Sequence, residues 1–139
     1  MSNAEKHSLD QNKTKNAFHN AAQDYDSVTA MQREVGDRLL SRLDFVQHKP
    51  KVIADIGAGT GIATGKLIQR YKDANVLALD IAKGMLQVNN DNNAENPASC
   101  AVADMHIIPL LHESIDMIFS NLAMQWSNDL LKVLDEYHR

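Results

Sequence analysis

The seven residues Asp55-Ile56-Gly57-Ala58-Gly59-Thr60-Gly61 restrict the folds open to this chain more than any other stretch. They continue the apolar run Val52-Ile53-Ala54 and lead into Ala63, Leu67, Ile68 and Tyr71, which fall at helical spacing. A buried strand therefore turns through three alternating glycines directly into a helix. Glycine supplies the tight turn and removes the side chain that would keep a ligand from the backbone. Strand, glycine loop and helix in this order belong to open α/β sheets, whose ligands sit outside the carboxyl ends of the strands. A dinucleotide fingerprint would place its third glycine at Ile62 and would not carry an acid two places before the first glycine. A phosphate loop would need Gly-Lys-Ser or Gly-Lys-Thr, and neither follows.

The rest of the chain extends the same pattern. Val76-Leu77-Ala78-Leu79 reads as a second strand ending at Asp80, Ser99 to Ala103 as a third ending before Asp104, and Ile115 to Phe119 as a fourth. Ala82, Met85, Leu86 and Val88 mark a short helix, after which Asn89-Asn90-Asp91-Asn92-Asn93 reads as a turn. Asp129 to Arg139 reads as a helix with Leu130, Leu131 and Leu134 inward. Towards the amino terminus, Val28, Met31, Val35, Leu39, Leu43 and Val46 share one helical face. Two helices are expected there, broken near Tyr25-Asp26-Ser27 and ended by Pro50. The expected fold class is α/β, a Rossmann-like doubly wound parallel sheet, incomplete at about four strands, with an N-terminal helical lid. Residues 1–13 are expected to be a disordered tail, 14–48 the lid, and 51–139 the α/β core.

At 139 residues the chain has room for one domain, and its fourth strand is too apolar for a solvent-facing edge. We therefore expect either a longer gene product or a covering chain, a second copy pairing edge to edge included. The net charge of −4 offers no general attraction to nucleic acid or to an anionic membrane. The single Cys100 cannot form an internal disulfide, no secretory segment is evident, and no run of about 18 apolar residues exists to span a membrane. A cytoplasmic setting is expected. The six histidines show no metal-ligand spacing.

The order strand, Asp-x-Gly-x-Gly-x-Gly, helix, strand ending at Asp80 and strand ending at Asp104 resembles the class I methyltransferases that use S-adenosylmethionine. The resemblance implies that Asp55, Gly57, Gly59 and Gly61 wrap the methionine end of the cofactor and that Asp80 holds the ribose hydroxyls. It further implies that Ile81 and Met85 flank the adenine and that Asp104 with Met105 contacts its edge. Ala17 to Asp26, the helix containing Gln32-Arg33-Glu34-Val35, and Ser120 to Trp126 together look like the malonyl-acyl-carrier-protein O-methyltransferase family of biotin synthesis. That likeness implies methyl transfer to the free carboxylate of a malonyl group on acyl carrier protein, with Tyr25 over the transfer site. Asn121, Gln125 and Trp126 would line the site, Asn121 beside the cofactor, and Arg33 would meet a carboxylate of cofactor or substrate. Nucleic-acid amino methyltransferases carry two prolines and an aromatic where this chain has Leu122-Ala123-Met124, so base methylation is not expected.

A malonyl carboxylate, with a pKa near ~4, is already a nucleophile and needs no general base. A quinone-type phenol acceptor would benefit from one, and His19 or His106 are the candidates. Transfer to such another small molecule, or cofactor binding without catalysis, are the rival readings.

Overall fold

The computed structural model describes Lys13 and residues 30–139. Tyr25, His19, the break near Ser27 and the first lid helix lie outside the described residues. Helix α1 (Ala30–Arg42) and a 3-10 turn (Leu43–Phe45) lead to β1 (Val52–Ile56), α2 (Ile62–Arg70), β2 (Asn75–Asp80), α3 (Lys83–Asn92) and β3 (Ser99–Val102). After a long connection come β4 (Met117–Phe119), a second 3-10 turn (Met124–Trp126) and α4 (Leu130–His138).

The described residues build a four-stranded sheet in the order β3-β2-β1-β4, with every pair parallel. Ala54 of β1 stands level with Leu77 on one side and Ile118 on the other. Parallel strands are buried on both faces, which is why β1 reads as a continuous apolar run rather than an alternation. Ile53 and Ala54, on opposite faces, are 0% and 1% exposed. Leu40 of α1 and Leu67 of α2 pack with Ile53, Val76 and Phe119 on one face. Leu86 of α3 joins Ala78 there. On the other face Ala54, Ile56 and Ile118 meet Ile108 from the long connection and Tyr137 of α4. Helical layers thus cover both sides, as a doubly wound sheet requires.

The chain walks outward from β1 to β3 and then crosses back to the far side of β1. This reversal opens a crevice between the carboxyl ends of β1 and β4, the place where such sheets bind ligands. The opposite end of the sheet is closed by Asp116, whose Oδ2 accepts from the amides of Lys51 (2.8 Å) and Val52 (2.9 Å). The backbone donations from Val52 and Lys51 hold the Asp116 carboxyl below its ordinary pKa. Among the described residues no helix is long and apolar enough to cross a membrane.

Four expectations about elements need correction. The helix α1 ends at Arg42 rather than near Gln47, and it buries Gly36 and Leu40 instead of the Met31, Val35, Leu39 stripe. Met31 is 71% exposed because the helix turns its Gly36 and Leu40 face inward, with the Asn121 side chain packed closely on Gly36. The helix α3 does not stop at Val88 but runs through the asparagines to Asn92. In α4, Val133 is fully buried and Tyr137 packs on the sheet, while Leu130, Leu131 and Leu134 face outward. The fourth strand is shorter than expected, beginning at Met117.

Candidate functional site

The glycine loop is fastened to the end of β2 by the amides of Gly57 and Ala58, both donating to Leu79 O (2.8 and 3.0 Å). Gly57 and Gly61 have φ of 71° and 90°, in the left-handed region that favours glycine. A β-carbon on Gly57 would also run into the side chain of Ala123, so the segment after β4 lies directly on the loop.

Asp80, at the end of β2, grips the loop from the side. Its Oδ2 accepts from Gly59 N (2.9 Å) and its Oδ1 from Ala82 N (2.8 Å), at the start of α3. Burial raises its pKa, against the backbone donations from Ala82, Gly59 and Ile81. A carboxylate has about four acceptor sites, so Asp80 keeps acceptor capacity beyond these donations, and the residue lines a cleft. Gly57, Gly59, Ile81, Met85, Asp104, Met105 and Asn121 line the same cleft. His106 and Trp126 line it too, so ten of the residues singled out by sequence converge on one cavity, with Ala103, Leu122 and Ala123 between them.

Asp55 and Gly61 lie elsewhere. Asp55 lines an adjoining hollow beneath α1, shared with Gly57, Gly59 and Asn121 and bounded by Gln32 and Arg33. Its carboxylate is 2% exposed and accepts from Thr64 Oγ1 (2.7 Å). Burial lifts its pKa to about 7, against the Thr64 bond and with some help from the charge of Asp80. Gly61 is covered by Asn89 and Asn93 and borders neither hollow.

Asn121 joins the two hollows. Its Nδ2 donates to Gln32 O (3.1 Å), while its Oδ1 and the Oε1 of Gln32 are buried without a partner. Buried oxygens left unpaired are costly unless a donor arrives, so this corner suits a ligand carrying N–H groups, a cationic one above all.

His106 is held at both ring nitrogens: Nδ1 pairs with Asp104 Oδ1 (2.6 Å) and Nε2 with Ser127 Oγ (2.7 Å). Burial works to raise the Asp104 pKa, but the backbone and ring bonds from His106 outweigh it and hold the carboxyl below its ordinary value. Ser127 Oγ in turn accepts from Asp129 N (2.9 Å), at the cap of α4. Asp104, His106 and Ser127 thus form a strut along the cleft wall. Gln125 is exposed.

Sequence reasoning missed Thr64 and the asparagines of α3. The signal was present: Asn89, Asn92 and Asn93 fall at i, i+3 and i+4, one face of a helix. Among the described residues no cluster of His, Cys, Asp and Glu could hold a metal ion.

Residues 54–139 match the family described as Methyltransferase domain. Over 140 aligned residues, spanning 100% of this chain and 48% of the other protein, the chain is 41% identical to malonyl-acyl-carrier-protein O-methyltransferase of Halorhodospira halophila. It is 41% identical to malonyl-acyl-carrier-protein O-methyltransferase 1 of Coxiella burnetii, over 94% of this chain and 44% of that protein. The chain spans about half the length of the curated relatives it matches. Among solved structures, a proposed S-adenosyl-L-methionine-dependent methyltransferase of Methanococcus maripaludis superposes with TM-score 0.73 at 20% identity, covering 87% of this chain and 57% of that one. Phosphoethanolamine N-methyltransferase 1 of Haemonchus contortus, solved with phosphoethanolamine and S-adenosylhomocysteine, gives TM-score 0.64 at 25% identity, over 88% of this chain and 28% of that one.

Proposed function

The chain belongs to the methyltransferase-domain family, and from that premise we propose that its cleft binds S-adenosylmethionine and that it serves methyl transfer to the carboxylate of malonyl-acyl carrier protein. One observation carries the cofactor reading: the residues after all four strands, Gly57, Asp80, Asp104 and Asn121, meet in a single cleft. The donor set fits the molecule. The unpaired Oδ1 of Asn121 and Oε1 of Gln32 suit its α-ammonium group, and Arg33, on the wall of the adjoining hollow, suits its carboxylate. Asp80 offers acceptor oxygen to a ribose diol, Ile81 and Met85 offer apolar surface to a base, and Asp104 with Met105, on the same cleft, would meet the base edge. Asp55 and Gly61 shape the loop from beneath.

When bound, the cofactor supplies a methyl group on a sulfonium sulfur. The protein's share is to place the acceptor oxygen in line with it and to keep water out. A carboxylate acceptor asks for no general base, and among the described lining residues the one imidazole, His106, is engaged at both nitrogens. The substrate assignment is supported by the relatives at 41% identity. Tyr25 is assigned to the transfer site on the resemblance of Ala17 to Asp26.

The test is calorimetric titration with S-adenosylhomocysteine against NADH as control, followed by a mass-spectrometric assay of malonyl-acyl carrier protein. Saturable binding of the first ligand alone and a gain of one methyl on the malonyl group are expected. Tyr25→Phe should slow transfer at unchanged S-adenosylhomocysteine affinity. Methylation of a quinone precursor in preference to malonyl carrier protein would move the substrate assignment, and binding without any transfer would leave a cofactor-binding unit.

A further inference from the structure

Three consecutive carbonyls of the glycine loop are held by side-chain amides from the last turn of α3 and its C-cap residue, Asn93. Asn89 Nδ2 donates to Gly59 O (3.4 Å), Asn92 Nδ2 to Thr60 O (2.8 Å) and Asn93 Nδ2 to Gly61 O (3.0 Å). Two of the three side chains are also tied to each other and to the core. Asn89 Nδ2 donates to Thr64 Oγ1 (3.1 Å), which donates to Asp55, and Asn93 Nδ2 reaches Asn89 O (3.0 Å) and Asn89 Oδ1 (3.3 Å). Asn89 is fully buried. Gly61 and Gly65 are the notches that admit these side chains, since a β-carbon on Gly61 would strike Asn89 and Asn93, and one on Gly65 would strike Asn93.

We propose that Asn89, Asn92 and Asn93 form an amide clamp that fixes the orientation of the Gly59–Gly61 peptides and thereby positions the loop for the cofactor. The inference rests on the cofactor reading above and adds to it positioning residues that touch no ligand themselves. A peptide unit is planar and trans, so turning each carbonyl towards α3 turns the following N–H away from it. Gly59 is gripped twice, its N–H by Asp80 and its carbonyl by Asn89. The helix α3 therefore sets both the loop, through its last turns, and the ribose-facing acid, through the Ala82 amide at its start. A carbonyl can only accept, so the –NH2 of asparagine suits each contact, whereas aspartate would set oxygen against oxygen.

Asn92 gives the cleanest test, because its side chain is at the surface and its loss opens no cavity. In Asn92→Ala and Asn92→Asp, S-adenosylhomocysteine affinity, the ligand-free unfolding midpoint and amide hydrogen exchange of the loop are measured on the full chain. Affinity should fall about 3- to 10-fold in Asn92→Ala, the equivalent of one lost hydrogen bond, and further in Asn92→Asp. The midpoint should stay within about 2 °C of wild type, while exchange at Thr60, Gly61 and Ile62 speeds up and that of β1 does not. A merely structural asparagine would lower the midpoint and leave the affinity of the folded protein alone. Wild-type binding with unchanged affinity in both variants overturns the clamp and leaves the cofactor reading standing. Absence of binding by the wild-type chain overturns both.

Discussion

Two aspartates within one loop's reach show how residue environment sets role. Asp80 keeps acceptor capacity at the cleft, and Asp80→Ala should weaken S-adenosylhomocysteine binding about 10- to 150-fold in calorimetry, the loss of charge-assisted bonds to a diol. Asp55 is fully enclosed and its pKa stands at about 7 against an ordinary 3.8. The folded protein therefore holds this proton over a range in which the unfolded chain has released it. The contribution of Asp55 to stability is complete below about pH 4 and is lost as pH rises to about 7. Asp55→Asn retains an oxygen to accept from Thr64 and removes the buried charge. Its unfolding midpoint should exceed that of wild type at pH 8 and approach it at pH 5, as read by thermal melts at both values. Equal midpoints at pH 8 would show that the carboxylate is hydrated in the folded state.

At the scale of elements, the helix α4 separates what periodicity announces from what packing selects. Leu130, Leu131 and Leu134 form an apolar stripe, yet the sheet receives Val133 and Tyr137, and Leu131 is 75% exposed. Val133→Ala should cost about 2 kcal/mol of unfolding free energy, and Leu131→Glu within about 0.5 kcal/mol, both measured by denaturant titration. Val133 and Tyr137 stand four residues apart on a second face of the helix, and that face is the one turned inward, with the far end anchored where Glu136 accepts from Ile108 N (2.5 Å) and Arg139 donates to Ile108 O (2.6 Å). The strands were legible because parallel strands buried on both faces are short apolar runs, and β1 falls on Val52 to Ile56 as expected. Asp80, Asp104 and Asn121 were legible as strand-end polar residues. The asparagines at the end of α3 were not, because low helix propensity argues for a turn unless their side chains have partners, and those partners are carbonyls of a loop 30 to 32 residues earlier. The face of α1 was hidden for a related reason. A buried glycine, Gly36, gives no hydropathy signal, and its burial comes from an approach of Asn121 across the fold.

At the scale of the whole molecule, the sheet built by the described residues has two open sides, the exposed β3 and the more apolar β4. Among the described residues β4 pairs with β1 alone, and Met117, Ile118 and Phe119 are all at least partly buried and apolar. Unpaired edges of this kind recruit other strands. This chain, prepared by itself, should self-associate with a concentration-dependent mass in light scattering; a constant monomer mass across the accessible concentration range would count against pairing through that edge. The reversal of the chain between β3 and β4 has a second consequence. Because the segments at Gly57, Asp80, Asp104 and Asn121 arrive from four separate strand ends, a molecule that touches all of them acts as a removable cross-link between parts of the chain distant in sequence. Ligand occupancy and foldedness are then two readings of one equilibrium, and the protein's resistance to heat becomes a gauge of how much cofactor surrounds it.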